Sequence, residues 1–184
     1  MLQVLTGSVK GRKLKVPKGQ KIRPTTSRVK KSIFDTLGDI SGVRVLDIFA
    51  GSGGLGIESL SRGAEHVTFI EKDPSVFKIL KENYARCGFL DKATPICSHY
   101  KEALLRLRSK KKIFDLIFID PPYKLYDSLE VKDFILDVSE LLHDEGHAVI
   151  EHDHKIEDAP PGFLRVTKPF GGTHVSYFRK GEQS

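Results

Sequence analysis

The stretch VRVLDIFAGSGGLG, residues 43–56, carries the fold. Val43 to Phe49 is a short apolar run of strand type, and Gly51, Gly53 and Gly56 follow it in GxGxxG spacing, before a helical pattern from about Gly54 to Arg62. A strand entering a helix through closely spaced glycines is the entry turn of a βαβ unit, where the backbone turns tightly and lets a ligand approach closely.

Outward from that turn the same alternation repeats. Apolar runs at 66–71, 93–97, 114–120 and 147–151 are separated by helical patterns at 74–87, near 101–107 and near 128–142. Five strands separated by helices imply a mostly parallel sheet covered on both faces. Beyond Gly162, residues 164–168 and 173–178 are expected to form a terminal antiparallel pair. Before it all, residues 2–6 and 12–16 flank Gly7 to Gly11 as a short hairpin. A basic connector from Pro17 to Pro24 leads to a helix capped from Thr25, Thr26 and Ser27, with Val29, Ile33, Phe34 and Leu37 as its apolar stripe. Arg28, Lys30 and Lys31 lie off that stripe, toward solvent or a ligand.

Charge divides the 184 residues unevenly. The first 34 hold ten Lys or Arg and no acid, since Asp35 is the first. Removing those ten from the thirty bases leaves twenty against twenty-four acids, a net −4 on the remainder. Such a segment calls for an anionic partner. At 39% hydrophobic and 29% charged residues the composition suits one globular domain. No apolar run approaches the roughly 18 residues of a membrane span, and MLQVLTGSVKGRK lacks a secretory leader, so a cytoplasmic protein is expected. Cys87 and Cys97 have no CxxC spacing and are expected to be reduced. Glu151, His152, Asp153 and His154 could suggest metal ligands, but no second cluster completes a site, and no metal is expected.

Two cofactor classes suit the glycine turn: a nicotinamide dinucleotide and S-adenosylmethionine. Asp47, four residues before the first glycine, would repel a pyrophosphate and attract the ammonium and sulfonium of S-adenosylmethionine. Glu71 closes the next strand, where a carboxylate can accept from both ribose hydroxyls. The strand FDLIFID then runs into Asp120, Pro121, Pro122 and Tyr123. Two prolines remove two N–H donors and leave acceptors, the Asp120 carboxylate and the Pro121 carbonyl, before an aromatic ring. That set can accept both hydrogens of a nucleobase amine while Tyr123 stacks on the base.

Residues 22–26 (IRPTT), 45–64, Glu71 with Asp73, FDLIFIDPPY at 114–123 and FGGTHVSYF at 170–178 together resemble the RsmD family, bacterial guanine-N2 methyltransferases of small-subunit ribosomal RNA. The resemblance spans nearly the whole chain. It implies an α/β fold of the class I methyltransferases: a Rossmann-like, seven-stranded, mostly parallel sheet with a terminal antiparallel hairpin, preceded by the short basic β-hairpin. A basic arm of residues 1–24 would precede a methyltransferase domain of 25–184. The cofactor would be S-adenosyl-L-methionine, held by Asp47, Phe49, Ala50, Gly51, Ser52, Gly53, Glu71 and Lys72, with Ser98 or His99 toward the adenine. Asp120, Pro121, Pro122 and Tyr123 would act on the target guanine of 16S rRNA in an assembling small subunit. Lys10, Arg12, Lys13, Lys15, Arg23, Arg28 and Lys31 would grip RNA phosphates, and the chain is expected to be monomeric. Two further possibilities stay open: methylation of adenine N6 in nucleic acid, and a non-catalytic rRNA assembly factor that retains the cofactor.

Overall fold

The computed structural model describes residues 2–17, 26–127, 130–153 and 159–181, without the side chains of Tyr123 and Asp127. In chain order the elements are α1 (Ser27–Leu37), β1 (Arg44–Ile48), α2 (Gly54–Ser61), β2 (His66–Glu71), α3 (Pro74–Arg86), β3 (Ala93–Cys97), α4 (Tyr100–Ser109), β4 (Phe114–Ile119), α5 (Val131–Val138), β5 (Leu142–His152), β6 (Phe163–Phe170) and β7 (Thr173–Lys180). Seven strands form one sheet in the order β3-β2-β1-β4-β5-β7-β6. The first five run parallel, and β7 is antiparallel to both β5 and β6.

The strands are nearly continuous apolar runs because both faces are covered. One core joins Val29, Ile33 and Phe34 of α1, Leu55, Ile57 and Leu60 of α2, and Leu80 and Tyr84 of α3 to Val45, Phe69 and Phe118. The other joins Tyr100, Leu104 and Leu107 of α4 and Phe134, Ile135 and Val138 of α5 to Leu46, Ile48, Ile117 and Ile150. The chain winds outward from β1 to β3 and then returns to β4. The gap between β1 and β4 is therefore the topological switch point, where open α/β sheets place ligands beyond the carboxyl ends of their strands.

The amino-terminal hairpin forms: Gln3 bridges Lys13 antiparallel, and Val4 N–H donates to Arg12 O at 3.0 Å, Gly11 N–H to Val4 O at 2.9 Å and Leu14 N–H to Leu2 O at 2.9 Å. The rest of its backbone bonds largely to helices, and two other local expectations are corrected. Leu5 and Thr6 N–H donate to the Glu58 carboxylate at 2.7 and 3.0 Å, and Ser8 N–H donates to Ser61 O at 2.7 Å. Lys30 does not face solvent: it is 1% exposed, paired with Glu58 (0% exposed) at 3.2 Å, and donates to Gln3 O at 2.7 Å. The arm folded over α1 covers what would otherwise be that helix's polar flank. Burial pulls the Lys30 pKa down, opposed by the Glu58 carboxylate.

Second, the helix expected to reach residue 142 stops at Val138. A 3₁₀ turn, Ser139–Leu141, leads directly into β5. Gly146 sits inside β5, where the register against β4 jumps from Phe114↔Leu142 to Leu116↔His147. His143, Asp144 and Glu145 bulge out to solvent there, while Leu141 and Leu142 are buried as the strand begins.

Candidate functional site

The glycine turn leaves β1 through Phe49, whose φ of +62° is in the left-handed region that non-glycine residues seldom occupy. Its ring crosses to the α4–α5 side, 5.0 Å from Tyr100 and 6.1 Å from Phe134. Such a conformation costs on the order of 1–3 kcal/mol and persists where its surroundings over-determine it, commonly at ligand sites. Gly51 follows with φ +54°, and a Cβ there would meet nothing closer than Phe49 O at 4.0 Å, so the space beside it lies open for a ligand. Gly56 is different: a Cβ would fall 2.2 Å from the Phe69 ring and 2.9 Å from Asp47 Oδ2, so α2 can approach the sheet this closely at position 56 because it has no side chain there.

Asp47 is 2% exposed and accepts from Gly56 N–H at 2.9 Å. Its carboxyl is pushed up to about 7, chiefly by burial and further by the negative charges of Asp120 and Glu71, against the pull of the Gly56 amide. Glu71 folds its carboxylate over the turn, accepting from Gly51 N–H at 2.9 Å and from Asp73 N–H at 2.8 Å. Asp73 caps α3 through the Ser75 and Val76 amides. Asn83 of α3 holds the turn from below, donating to Ser52 O at 2.9 Å.

Asp120, Pro121 and Pro122 follow β4 directly. Pro121 is buried and Pro122 exposed. Pro122 O accepts from Leu125 N–H at 2.8 Å, opening the 3₁₀ turn Tyr123–Asp127. The register explains why Asp120 is felt at Asp47. Ile48 is level with Ile70 in β2 and Ile119 in β4, and Ile119 with Ile150 in β5. One step on from this isoleucine row stand Glu71, Phe49, Asp120 and Glu151. Ile70 and Ile150 pack toward α4 and α5, and side chains alternate along strands, so Glu71 and Glu151 belong to the opposite face, which Asp47 shares, and Asp120, just past β4, acts on Asp47 through its charge. Glu151 is absent from the site expected from sequence. Its signal is the recurrence of Ile-acid at three strand ends: Ile70-Glu71, Ile119-Asp120 and Ile150-Glu151.

The remaining expected cofactor residues lie around the same edge. Ala50, Ser52 and Gly53 form the turn, and Lys72 is exposed after Glu71. Ser98 N–H donates to Glu71 O at 3.2 Å, and its hydroxyl donates to Glu102 at 3.0 Å. His99 is exposed, caps α4 without a side-chain bond, and rests its ring 4.9 Å from Tyr100. Tyr100 Oη is buried with no hydrogen-bond partner among the described residues, and burial pushes it up to about 12.

Of the expected RNA residues, Lys10, Arg12, Lys13 and Arg28 are exposed. Lys15 is paired with Glu82 and Lys31 with Asp35, each at 2.6 Å. Arg23 lies outside the described residues, as do His154 and the greater part of the connector 17–24. Among the described residues no group of three or more His, Cys, Asp and Glu side chains could hold a metal ion, and no helix is long and apolar enough to cross a membrane. Cys87 is buried and Cys97 exposed, and both are free thiols.

Residues 2–179 match the family described as conserved hypothetical protein 95. Bacillus subtilis YlbH is 38% identical over 183 residues, covering 97% of this chain and 99% of its own. The Escherichia coli ribosomal RNA small subunit methyltransferase D is 33% identical over 165 residues, 87% of this chain and 78% of its own. The solved structure of Escherichia coli yhhF superposes with a TM-score of 0.84 at 28% identity, covering 99% of both chains. A match over almost the whole chain, with the glycine turn and the strand-end carboxylates on one sheet edge, makes this chain a member of the RsmD family.

Proposed function

We propose that this chain is an S-adenosyl-L-methionine-dependent methyltransferase that modifies the exocyclic N2 amine of a guanine in small-subunit ribosomal RNA, within an assembling particle. The observation that carries the reading is the cluster of Asp47, Glu71 and Asp120 at the switch point. Burial and the negative charges of Asp120 and Glu71 raise the Asp47 carboxyl, and three acids gathered there favour a cationic ligand over a pyrophosphate. The names of relatives support it, since those called ribosomal RNA small subunit methyltransferase D recur among them.

Asp47 and the turn Ala50 to Gly53 would hold the methionine end of the cofactor, and Glu71 its ribose. When bound, the cofactor supplies a methyl group on a sulfonium. Asp120 and the Pro121 carbonyl accept hydrogen bonds from the target amine, directing the nitrogen lone pair out of the ring system and stabilising the positive charge that develops on nitrogen. Tyr123 stacks on the base. Residues 1–24 act as a basic arm on the domain 25–184, and their Lys and Arg side chains take up phosphates without reading sequence.

The test is a nucleoside analysis of small-subunit RNA from cells with and without the protein. Loss of N2-methylguanosine, restored by wild type but not by Asp120→Ala, is the expected result. Loss of N6-methyladenine would favour the adenine reading, and no change would favour the non-catalytic assembly factor.

A further inference from the structure

The row of strand ends has a member with no role so far. Glu71, Asp120 and Glu151 each come one residue after the aligned row Ile70, Ile119 and Ile150, on β2, β4 and β5 with β1 between the first two. If Glu71 takes the cofactor ribose and Asp120 the target amine, Glu151 lies beyond Asp120, on the side away from Glu71. Neighbouring strands are about 4.8 Å apart, so the chain positions that carry these two carboxylates are spaced on the scale of a base edge.

Glu151 is also held in place. It is half-buried, its backbone carbonyl accepts from the Tyr126 hydroxyl at 2.6 Å, and the Thr173 hydroxyl at the start of β7 lies 3.3 Å from its Oε1 and 3.1 Å from His152 O, either of which can accept its one hydrogen. Tyr126 belongs to the 3₁₀ turn that follows Asp120-Pro121-Pro122. The segment that carries the catalytic motif is thereby tied to the backbone of Glu151.

We infer that Glu151 determines base specificity by accepting the ring N1–H of the purine whose exocyclic amine is presented to Asp120. This rests on the proposed guanine-N2 reading and supplies its selectivity. In guanine the 2-amine and N1–H are adjacent donors on one edge, which two side-by-side carboxylates match. In adenine the amine neighbours a bare N1, whose lone pair would confront the Glu151 carboxylate. A site built to bond a substrate N–H rejects an analogue lacking it strongly, because the site's own polar group is left unpaired.

The experiment uses the full-length protein and a small-subunit RNA fragment with its methylated guanosine mapped, then the same RNA with 2-aminopurine at that position. The analogue keeps the 2-amine but presents N1 as an acceptor. Wild type should prefer guanosine in kcat/KM by about a hundredfold or more. Glu151→Gln can turn an amide N–H toward the bare N1, and should bring the ratio within about tenfold while unfolding midpoint and S-adenosylmethionine affinity stay unchanged. Glu151→Asp, which keeps the carboxylate, should lower the rate yet retain the guanosine preference, a control that holds even if the Gln variant folds poorly. An unchanged ratio in Glu151→Gln, or a ratio that collapses equally in Glu151→Asp, overturns the inference and leaves the guanine reading standing. A wild type that transfers no methyl to the guanosine RNA overturns both.

Discussion

Asn83 ties Ser52 to the basic arm. Its Nδ2 donates to Ser52 O in the glycine turn and to Lys15 O, each at 2.9 Å, while its Oδ1 accepts from Lys15 N–H at 2.8 Å. The side chain is 1% exposed, so these bonds are made out of water, where an unmade one costs about 1–3 kcal/mol. Asn83→Ala should lower stability by that order and weaken S-adenosylmethionine binding, because the turn loses its anchor. Lys15→Ala keeps the backbone groups that Asn83 uses and should leave cofactor binding unchanged. Calorimetric titration of both variants, beside urea unfolding, checks the contrast.

Glu58 and Lys30 make a second tie, entirely buried. Arg62 adds to it, pairing with Glu58 at 3.0 Å and lying 4.4 Å over the Phe34 ring. Removing one partner strands a charge in the core, so Glu58→Ala should cost about 3–5 kcal/mol. Lys30→Met with Glu58→Gln together should cost less than the two single changes summed, since the double change removes both charges of the Lys30–Glu58 pair and leaves only Arg62, with a side chain 15% exposed, without its carboxylate. Chemical denaturation of the four proteins provides the cycle.

The pH dependence of cofactor binding should report Asp47. Its pKa is raised from 3.8 to about 7 in the folded chain. The folded state therefore holds that proton more tightly than the unfolded state, so the group favours folding at low pH, and the contribution is lost as pH rises from about 4 through 7. A cationic ligand binds the ionised form. Affinity for S-adenosylmethionine should accordingly climb as pH rises toward 7, by up to tenfold per unit, and level off above it. Asp47→Asn should bind more weakly and lose the slope. Titrations between about pH 5.5 and 8.5 decide it.

Neutralising Lys10, Arg12 and Lys13 together should weaken RNA binding and reduce the slope of log affinity against log salt by about 2, at roughly 0.7–0.9 per phosphate contact. Lys30→Met should leave that slope unchanged, because its ammonium is enclosed between Glu58 and Gln3 O. Filter binding over a salt series measures both, and an unchanged slope in the triple variant would defeat the idea of a phosphate-gripping arm.

Much of the site is legible in the sequence because its signals are short-range. A strand, closely spaced glycines and a helix within 43–62 identify the switch-point turn, and the two prolines after Asp120 mark a stiffened segment at a strand end. The alternation of apolar runs and helical patterns reveals a parallel sheet, since only strands covered on both faces are apolar throughout.

Residues far apart in sequence take their roles from the packed fold. Lys30 reads as a polar-flank lysine until the arm, 27 positions earlier at Gln3, folds across it. The helical pattern near 128–142 runs on past Val138 until β5 pairs with β4 from Leu142 and shows where the strand begins. Glu151 sits in a suggestive His-Asp run until the alignment of Ile119 with Ile150 sets it beside Asp120. Local pattern determines which element a residue joins, because propensity and periodicity act over a few residues. Which side chains then meet depends on strand register and on chain reversal over tens of residues, and those are settled only when the two faces of the sheet are packed.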